Sequence, residues 1–192
     1  MKKIAVFASG TGSNVENLIN YFKKHTSIAL VLVVSNNEHC GAIEKAKKNT
    51  INTLILSKDM VGDGNAIAKK LREFGIDYIV LAGYLKMIPA TLIQQFQEKI
   101  INVHPSLLPK YGGKGMYGTA VHKAVAENKE TESGITIHFV NEEYDKGKII
   151  AQRKTSLLPN ETYLDVENKV RALEIEWLPV IVESVILHKP IL

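Results

Sequence analysis

The sequence predicts an α/β fold: a Rossmann-like, mostly parallel sheet with helices on both faces and an antiparallel hairpin in the C-terminal half. Three observations carry this. Short apolar runs rich in β-branched residues recur through the first hundred positions, continuous instead of alternating, as strands covered on both faces require. Segments with helical apolar spacing separate them. A glycine-rich turn follows the first run and opens the first helical segment, the place where such sheets bind ligands.

Taken in order, Ile4-Ala5-Val6-Phe7 reads as a buried strand. Residues 13–24 read as a helix, with Val15, Leu18, Ile19 and Phe22 on one face. Strands follow at 29–34, 53–56 and 78–81, with helices at 42–48 and 65–74 between them. In the second half, 100–104 is a short strand and 117–128 is helical. Residues 134–140 and 148–155 read as two strands joined by 141–147, an antiparallel hairpin. A long helix covers 163–187, and Pro179 inside it should kink or split it. No repeat, low-complexity linker or change of composition divides the chain. Residues 1–192 therefore read as a single domain, with a phosphate-binding half at 1–100 and a catalytic half at 101–192.

Composition excludes several classes. With 192 residues, 45% apolar and 23% charged, the chain is that of a folded globular protein and not a disordered one. One cysteine, Cys40, rules out an intramolecular disulfide and a four-cysteine zinc site, and fits a reducing, cytoplasmic setting. The apolar run from Ile4 to Ala8 is shorter than the roughly 7–15 residues of a signal peptide. The run at 177–187 is broken by Pro179 and Glu183 and is too short to span a bilayer. The net charge of +4 arises from 24 Lys and Arg against 20 Asp and Glu, with the lysines spread as pairs. That is a solvated surface, not the concentrated face of a nucleic-acid binder. The expected partner is a small molecule, with no nucleic acid and no membrane.

Ser9-Gly10-Thr11-Gly12-Ser13-Asn14 lies where an α/β protein holds phosphate, because the unpaired N–H groups and positive dipole of a helix start attract anions. Ser13 and Asn14 add capping capacity. Val15 stands where the dinucleotide pattern needs its third glycine, and no Gly-Lys-Ser/Thr follows, so the loop suits a single phosphate. A plain strand-to-helix turn remains the alternative.

Asn102-Val103-His104-Pro105 carries a second signal. Residues two apart on a strand point the same way, and Pro105 keeps His104 extended, so Asn102 and His104 project together. An amide and an imidazole side by side can stabilise an oxyanion and exchange a proton with an amine. A core histidine bonded to backbone is the alternative for His104. The six histidines include no His-x-x-x-His pair, so no metal site is expected. A carboxylate that orients the imidazole could be Asp145, Glu142 or Glu143; spacing alone does not choose.

These motifs occur together and in order: Ser-Gly-Thr-Gly-Ser-Asn at 9–14, Leu-Ala-Gly-Tyr-Leu-Lys-Met-Ile at 81–88, Asn-Val-His-Pro-Ser-Leu-Leu-Pro at 102–109, Gly-Ile-Thr-Ile-His-Phe-Val at 134–140 and Asp-Lys-Gly at 145–147. The chain, over nearly its whole length, resembles the formyltransferases that use 10-formyltetrahydrofolate, and its Gly-Ser-Asn loop resembles the phosphoribosylglycinamide formyltransferase branch. The resemblance implies transfer of a formyl group from 10-formyltetrahydrofolate to the amine of 5-phosphoribosylglycinamide in de novo purine biosynthesis, in a monomer or homodimer. It implies that Asn102, His104 and Asp145 are catalytic, and that Gly12, Ser13, Asn14 and Glu174 bind the substrate. It implies a folate pocket of Leu85, Lys86, Met87 and Ile88, with Asn102 and a covering loop of Asn141, Glu142, Glu143 and Tyr144. An amine is already a good nucleophile, so neither a covalent intermediate nor a metal is implied, and Cys40 has no base beside it. The sequence departs from the family pattern at Lys86, where Arg is frequent, and in the glycine-rich stretch 110–118. Formyl transfer to another amine, or a non-catalytic nucleotide-binding module, are the alternatives; the latter leaves the Asn102–His104 pairing without a reason.

Overall fold

A computed structural model describes residues 1–191. The strands are β1 (Lys2–Phe7), β2 (Ile28–Ser35), β3 (Asn52–Ile55), β4 (Tyr78–Leu81), β5 (Ile100–His104), β6 (Glu132–Phe139) and β7 (Ile149–Ser156). They form one seven-stranded sheet in the order β3-β2-β1-β4-β5-β6-β7. The first five are mutually parallel, and β6 and β7 run as an antiparallel hairpin beside β5. The helices are α1 (Ser13–Phe22), α2 (Gly41–Lys48), α3 (Lys58–Val61), α4 (Gly64–Glu73), α5 (Ala90–Gln95), α6 (Thr119–Glu127) and α7 (Tyr163–Ile186).

The continuous apolar runs have the expected cause. Along β1, Ile4 and Val6 enter the core beneath α1, α2 and α7, whereas Ala5 and Phe7 enter the core beneath α4 and α5. Successive side chains point to opposite faces, so a strand covered on both sides has no position left for a polar residue. The chain leaves β1 toward β2 and β3, then returns across the sheet to β4 on the other side of β1. The order of the strands reverses there, so the connections that leave β1 and β4 run in opposite directions, the kind of switch point beside which such sheets bind ligands. Helices α3 and α5, four and six residues long, have no counterpart in the sequence reading. Segments so short show no helical period. The sixth helix begins at Thr119, two residues later than expected, behind Gly118.

Pro179 does not split the helix; α7 runs continuously for 24 residues and buries that proline. Proline removes the hydrogen bond that would reach the carbonyl four residues earlier, here Ile175. The Asn17 side chain of α1 donates to that carbonyl at 2.7 Å, so the orphaned acceptor is satisfied from a neighbouring helix. The N-terminus of α7 has a capping box in which Thr162 and Asp165 bond reciprocally.

Near its other end, α7 is tied to α1 by Glu183. That carboxylate accepts from the Tyr21 hydroxyl and the Lys189 ammonium, both at 2.6 Å, and faces His25 Nε2 at 3.6 Å. Lys189 and Tyr21 hold its pKa down at about 2, while burial and the same carboxylate push the Tyr21 hydroxyl up to about 12. A carboxyl depressed in the folded state contributes stability above its ordinary pKa near 4.5 and loses it as pH falls toward 2. Glu183→Gln is expected to cost on the order of 1 kcal/mol near neutrality, the paired charge being screened by solvent, and progressively less below pH 4.5. Urea unfolding of both proteins across that range checks it; a difference constant with pH would disprove the linkage.

Candidate active site

The turn after β1 is shaped by contact. Gly12 has φ of 74°, and a Cβ there would lie 2.5 Å from the Ala42 backbone, so only glycine lets the turn dock on α2. The Ala42 N–H donates to the Gly10 carbonyl at 3.2 Å. Gly12 caps α1, and neither Ser13 nor Asn14 supplies the capping bond expected of them. The first N–H groups of α1 are left without a side-chain cap, as an anion site needs. Ser9 ties this turn to its neighbours: its hydroxyl donates to Asn36 at 2.7 Å and accepts from the Leu85 N–H at 3.1 Å. The ends of β1, β2 and β4 are thus cross-linked.

Asn102 and His104 sit on one face of β5, and register pairs Asn102 with His138 of β6. His138 Nδ1 donates to the Phe139 carbonyl at 2.8 Å, so Nε2 is left to accept from the Asn102 amide at 3.0 Å. Burial pushes the His138 pKa down, which favours this neutral form; the Phe139 carbonyl and Asp145 pull the other way. His104 is also buried. Its Nε2 lies 2.8 Å from the Tyr111 carbonyl, an acceptor only, so that nitrogen carries a proton.

Of the three acidic candidates, Asp145 is the one that reaches the histidines. Its carboxylate lies 3.5 Å from His104 Nδ1 and 3.7 Å from His138 Nε2, and accepts from the Gly113 N–H at 2.8 Å. Glu142 bonds Gln94 and Glu143 bonds Lys146. Asp145 has φ of 55°, left-handed backbone that aspartate tolerates. Two residues on, a Cβ on Gly147 would meet the Phe139 carbonyl oxygen at 1.7 Å. The Asp-Lys-Gly sequence thus turns the chain tightly over β6 and points the carboxylate inward. The turn after β5 is held by Thr136, which donates to the Ser106 carbonyl at 2.7 Å and accepts from the Leu108 N–H at 2.9 Å. Gln152 donates to the Leu108 carbonyl at 2.9 Å.

These groups open onto a cleft of about 390 Å³. Asn102, His104 and Asp145 line it, as do Leu85, Lys86, Met87, Ile88, Asn141, Glu142, Glu143 and Tyr144. His138 and residues 113–117 also form its wall. Leu85, Met87, Tyr117 and Tyr144 stand 44–55% exposed there, an apolar mouth of the kind that marks a ligand groove.

A second cavity of about 140 Å³ adjoins it, with Pro105 in both walls. Ser13 and Glu174 line this one, together with His122, Glu167 and Arg171, which sequence reasoning missed. Gly12 and Asn14 are not in its wall: Gly12 is packed on α2, and the Asn14 amide donates to Glu174 at 2.7 Å. Burial pushes the Glu174 pKa up, while Asn14 and Arg171 pull it down. Arg171 donates to Glu167 at 2.5 Å. His138 was within reach of a sequence argument, since it lies in the Gly134–Val140 run, but its pairing with β5 was not. Among the described residues, no group of three or more His, Cys, Asp or Glu side chains is gathered closely enough for a metal ion, and no helix is long and apolar enough to cross a membrane.

The family model "Formyl transferase" matches residues 2–182. A chloroplastic phosphoribosylglycinamide formyltransferase of Arabidopsis thaliana is 44% identical over 175 residues, covering 88% of this chain. The chain spans only 60% of the length of that relative. A phosphoribosylglycinamide formyltransferase of Haemophilus influenzae is 36% identical over 188 residues, covering 95% of this chain and 86% of the relative. The crystal structure of glycinamide ribonucleotide transformylase 1 from Geobacillus kaustophilus superposes with a TM-score of 0.88 at 32% identity, covering 96% of this chain and 98% of that one.

Gly147→Ala is expected to lower stability by about 1–3 kcal/mol, because the backbone oxygen it would strike cannot rotate away. The urea midpoint measures this, and an unchanged midpoint would show that the turn repacks freely.

Proposed function

The chain belongs to the formyl transferase family, and on that premise we propose that it transfers the formyl group of 10-formyltetrahydrofolate to the primary amine of 5-phosphoribosylglycinamide, a step of de novo purine biosynthesis. The observation that carries this reading is the convergence of Asn102, His104 and Asp145 on a cleft bordered by the 85–88 and 141–144 segments. At about 390 Å³, with an apolar mouth and a few inward polar groups, the cleft suits a folate. Its walls would hold the pterin along 85–88, with 141–144 as the cover.

When bound, the folate supplies a formyl carbon open to attack by an amine. The protein's part is electrostatic and acid–base. Asn102 and His104 direct donors at the formyl oxygen as it gains negative charge. The proton that His104 Nε2 now gives to Tyr111 is the one it would present there. Asp145 faces the other ring nitrogen at 3.5 Å and orients the imidazole. His138, neutral and bonded through Nε2, keeps Asn102 from turning away. The uncapped start of α1 at Ser13 receives the acceptor's phosphate, and Glu174 accepts from its hydroxyl or amide groups. Cys40 is buried against Ser35 and lines neither cavity, and its lone thiol suits a cytoplasmic setting.

An assay of formyl transfer to 5-phosphoribosylglycinamide tests the reading; no product from the folded protein would end it. His104→Ala and Asp145→Ala are each expected to lower kcat by at least about 10²-fold with folding retained. Near-normal turnover in either purified variant would remove its assigned role. Lys86→Arg is expected to change folate affinity by less than about tenfold, or 1.4 kcal/mol, since backbone atoms of this segment carry the contact. A larger change on titration would implicate the side chain.

A further inference from the structure

We propose that His122 positions the acceptor substrate, giving a hydrogen bond to an oxygen of its sugar-phosphate part from the wall of the smaller cavity. The inference rests on the formyl-transfer reading and adds to it a residue that the sequence motifs do not mark.

The buried histidines are His104, His122 and His138. His104 bonds the Tyr111 carbonyl, and His138 bonds both Phe139 and Asn102. His122 is 5% exposed, and its Nδ1 is fully buried with no hydrogen-bond partner. Buried polar atoms are nearly always bonded, and an unmatched one marks a function or a missing partner. This ring lines the cavity that Ser13, Pro105, Arg171 and Glu174 also border.

The groups that could have served His122 are engaged elsewhere. Glu167 is bonded by Arg171 and Glu174 by Asn14. Burial pushes the His122 pKa down and favours its neutral form, with Arg171 and His104 acting in the same direction and Glu167 pulling the other way, while Glu174 faces it across the same cavity. A neutral imidazole has one N–H and one lone pair. With Nδ1 closed off from the cavity, Nε2 is the ring nitrogen left to meet a ligand, and in the neutral Nε2–H form it donates to a phosphate or hydroxyl oxygen without adding charge to a cavity that already holds Arg171.

Position supplies the rest. The start of α1 at Ser13 marks where a phosphate would rest, and Pro105, next to His104, is shared with the larger cleft. An acceptor anchored at Ser13 with its amine near His104 must pass through the cavity that His122 lines.

The test uses the full chain with His122→Leu and His122→Gln. His122→Leu is expected to raise KM for 5-phosphoribosylglycinamide by about tenfold or more, with kcat within about threefold and tetrahydrofolate affinity unchanged. Its melting temperature without ligand is expected to equal or exceed that of the parent, because no protein hydrogen bond is lost. The stabilisation given by the acceptor falls. His122→Gln, which restores a donor and acceptor, recovers most of the KM and keeps the test open should the leucine variant fail to fold. Inorganic phosphate and ribose 5-phosphate locate the bond. Weaker inhibition of the variant by both probes places it at the phosphate, and weaker inhibition by ribose 5-phosphate alone places it at the sugar. A KM within about twofold of the parent, or a lowered melting temperature with acceptor binding intact, overturns the proposal and makes His122 structural. Absence of formyl transfer by the parent protein would instead defeat the reading on which the proposal rests.

Discussion

The carboxylate of Asp145 is where three separate stretches of chain meet. It accepts from Gly113 in the loop after β5, faces His104 at the end of β5, and faces His138 on β6. A half-buried carboxylate needs a hydrogen-bond donor, and the Gly113 N–H supplies it while the His104 ring stands at 3.5 Å. The hairpin turn, the glycine-rich loop and the strand end are therefore held to one geometry. The left-handed backbone at Asp145 and the side-chain-free Gly147 are the local conditions that let the turn deliver it.

The rest of the fold places this cluster at a sheet edge that ligands can reach. Because the chain crosses from β3 back to β4, the connections after β1 and β4 leave in opposite directions, and the turns after these strands lie at the same edge of the sheet as the cluster. Ser9 fixes those turns with a single hydroxyl, and Gly12 seats the first of them against α2. The two cavities that result meet at Pro105. One is large, apolar at its mouth and lined by the histidine cluster. The other is small, polar and set against the start of α1. A transfer between two substrates needs such a pair of neighbouring sites, with the reacting groups brought together at their boundary.

Helix α7 shows how tertiary contacts override a local rule. Proline inside a helix is costly because a carbonyl loses its donor. Here Asn17 restores the bond from α1, and Glu183 fastens the same two helices a turn further on. Residues that look like surface polars in the sequence are what keep the long helix whole, and with it the placement of Glu174 and Arg171 on the cavity wall.

Much of the fold was legible because burial on both faces leaves an unmistakable mark: β1 to β4 and their helices follow from continuous apolar runs and helical spacing. The pairing of Asn102 with His104 was legible too, since alternation along a strand is fixed by backbone geometry. The sequence alone could not choose Asp145 over Glu142 and Glu143, because only the path of the turn decides which carboxylate faces inward. Nor could it reveal His138 and His122, which join their sites through cross-strand register and helix packing, contacts between residues far apart in the chain. Local periodicity is written residue by residue; which distant side chains share a cavity is decided only when the sheet and its helices close around it.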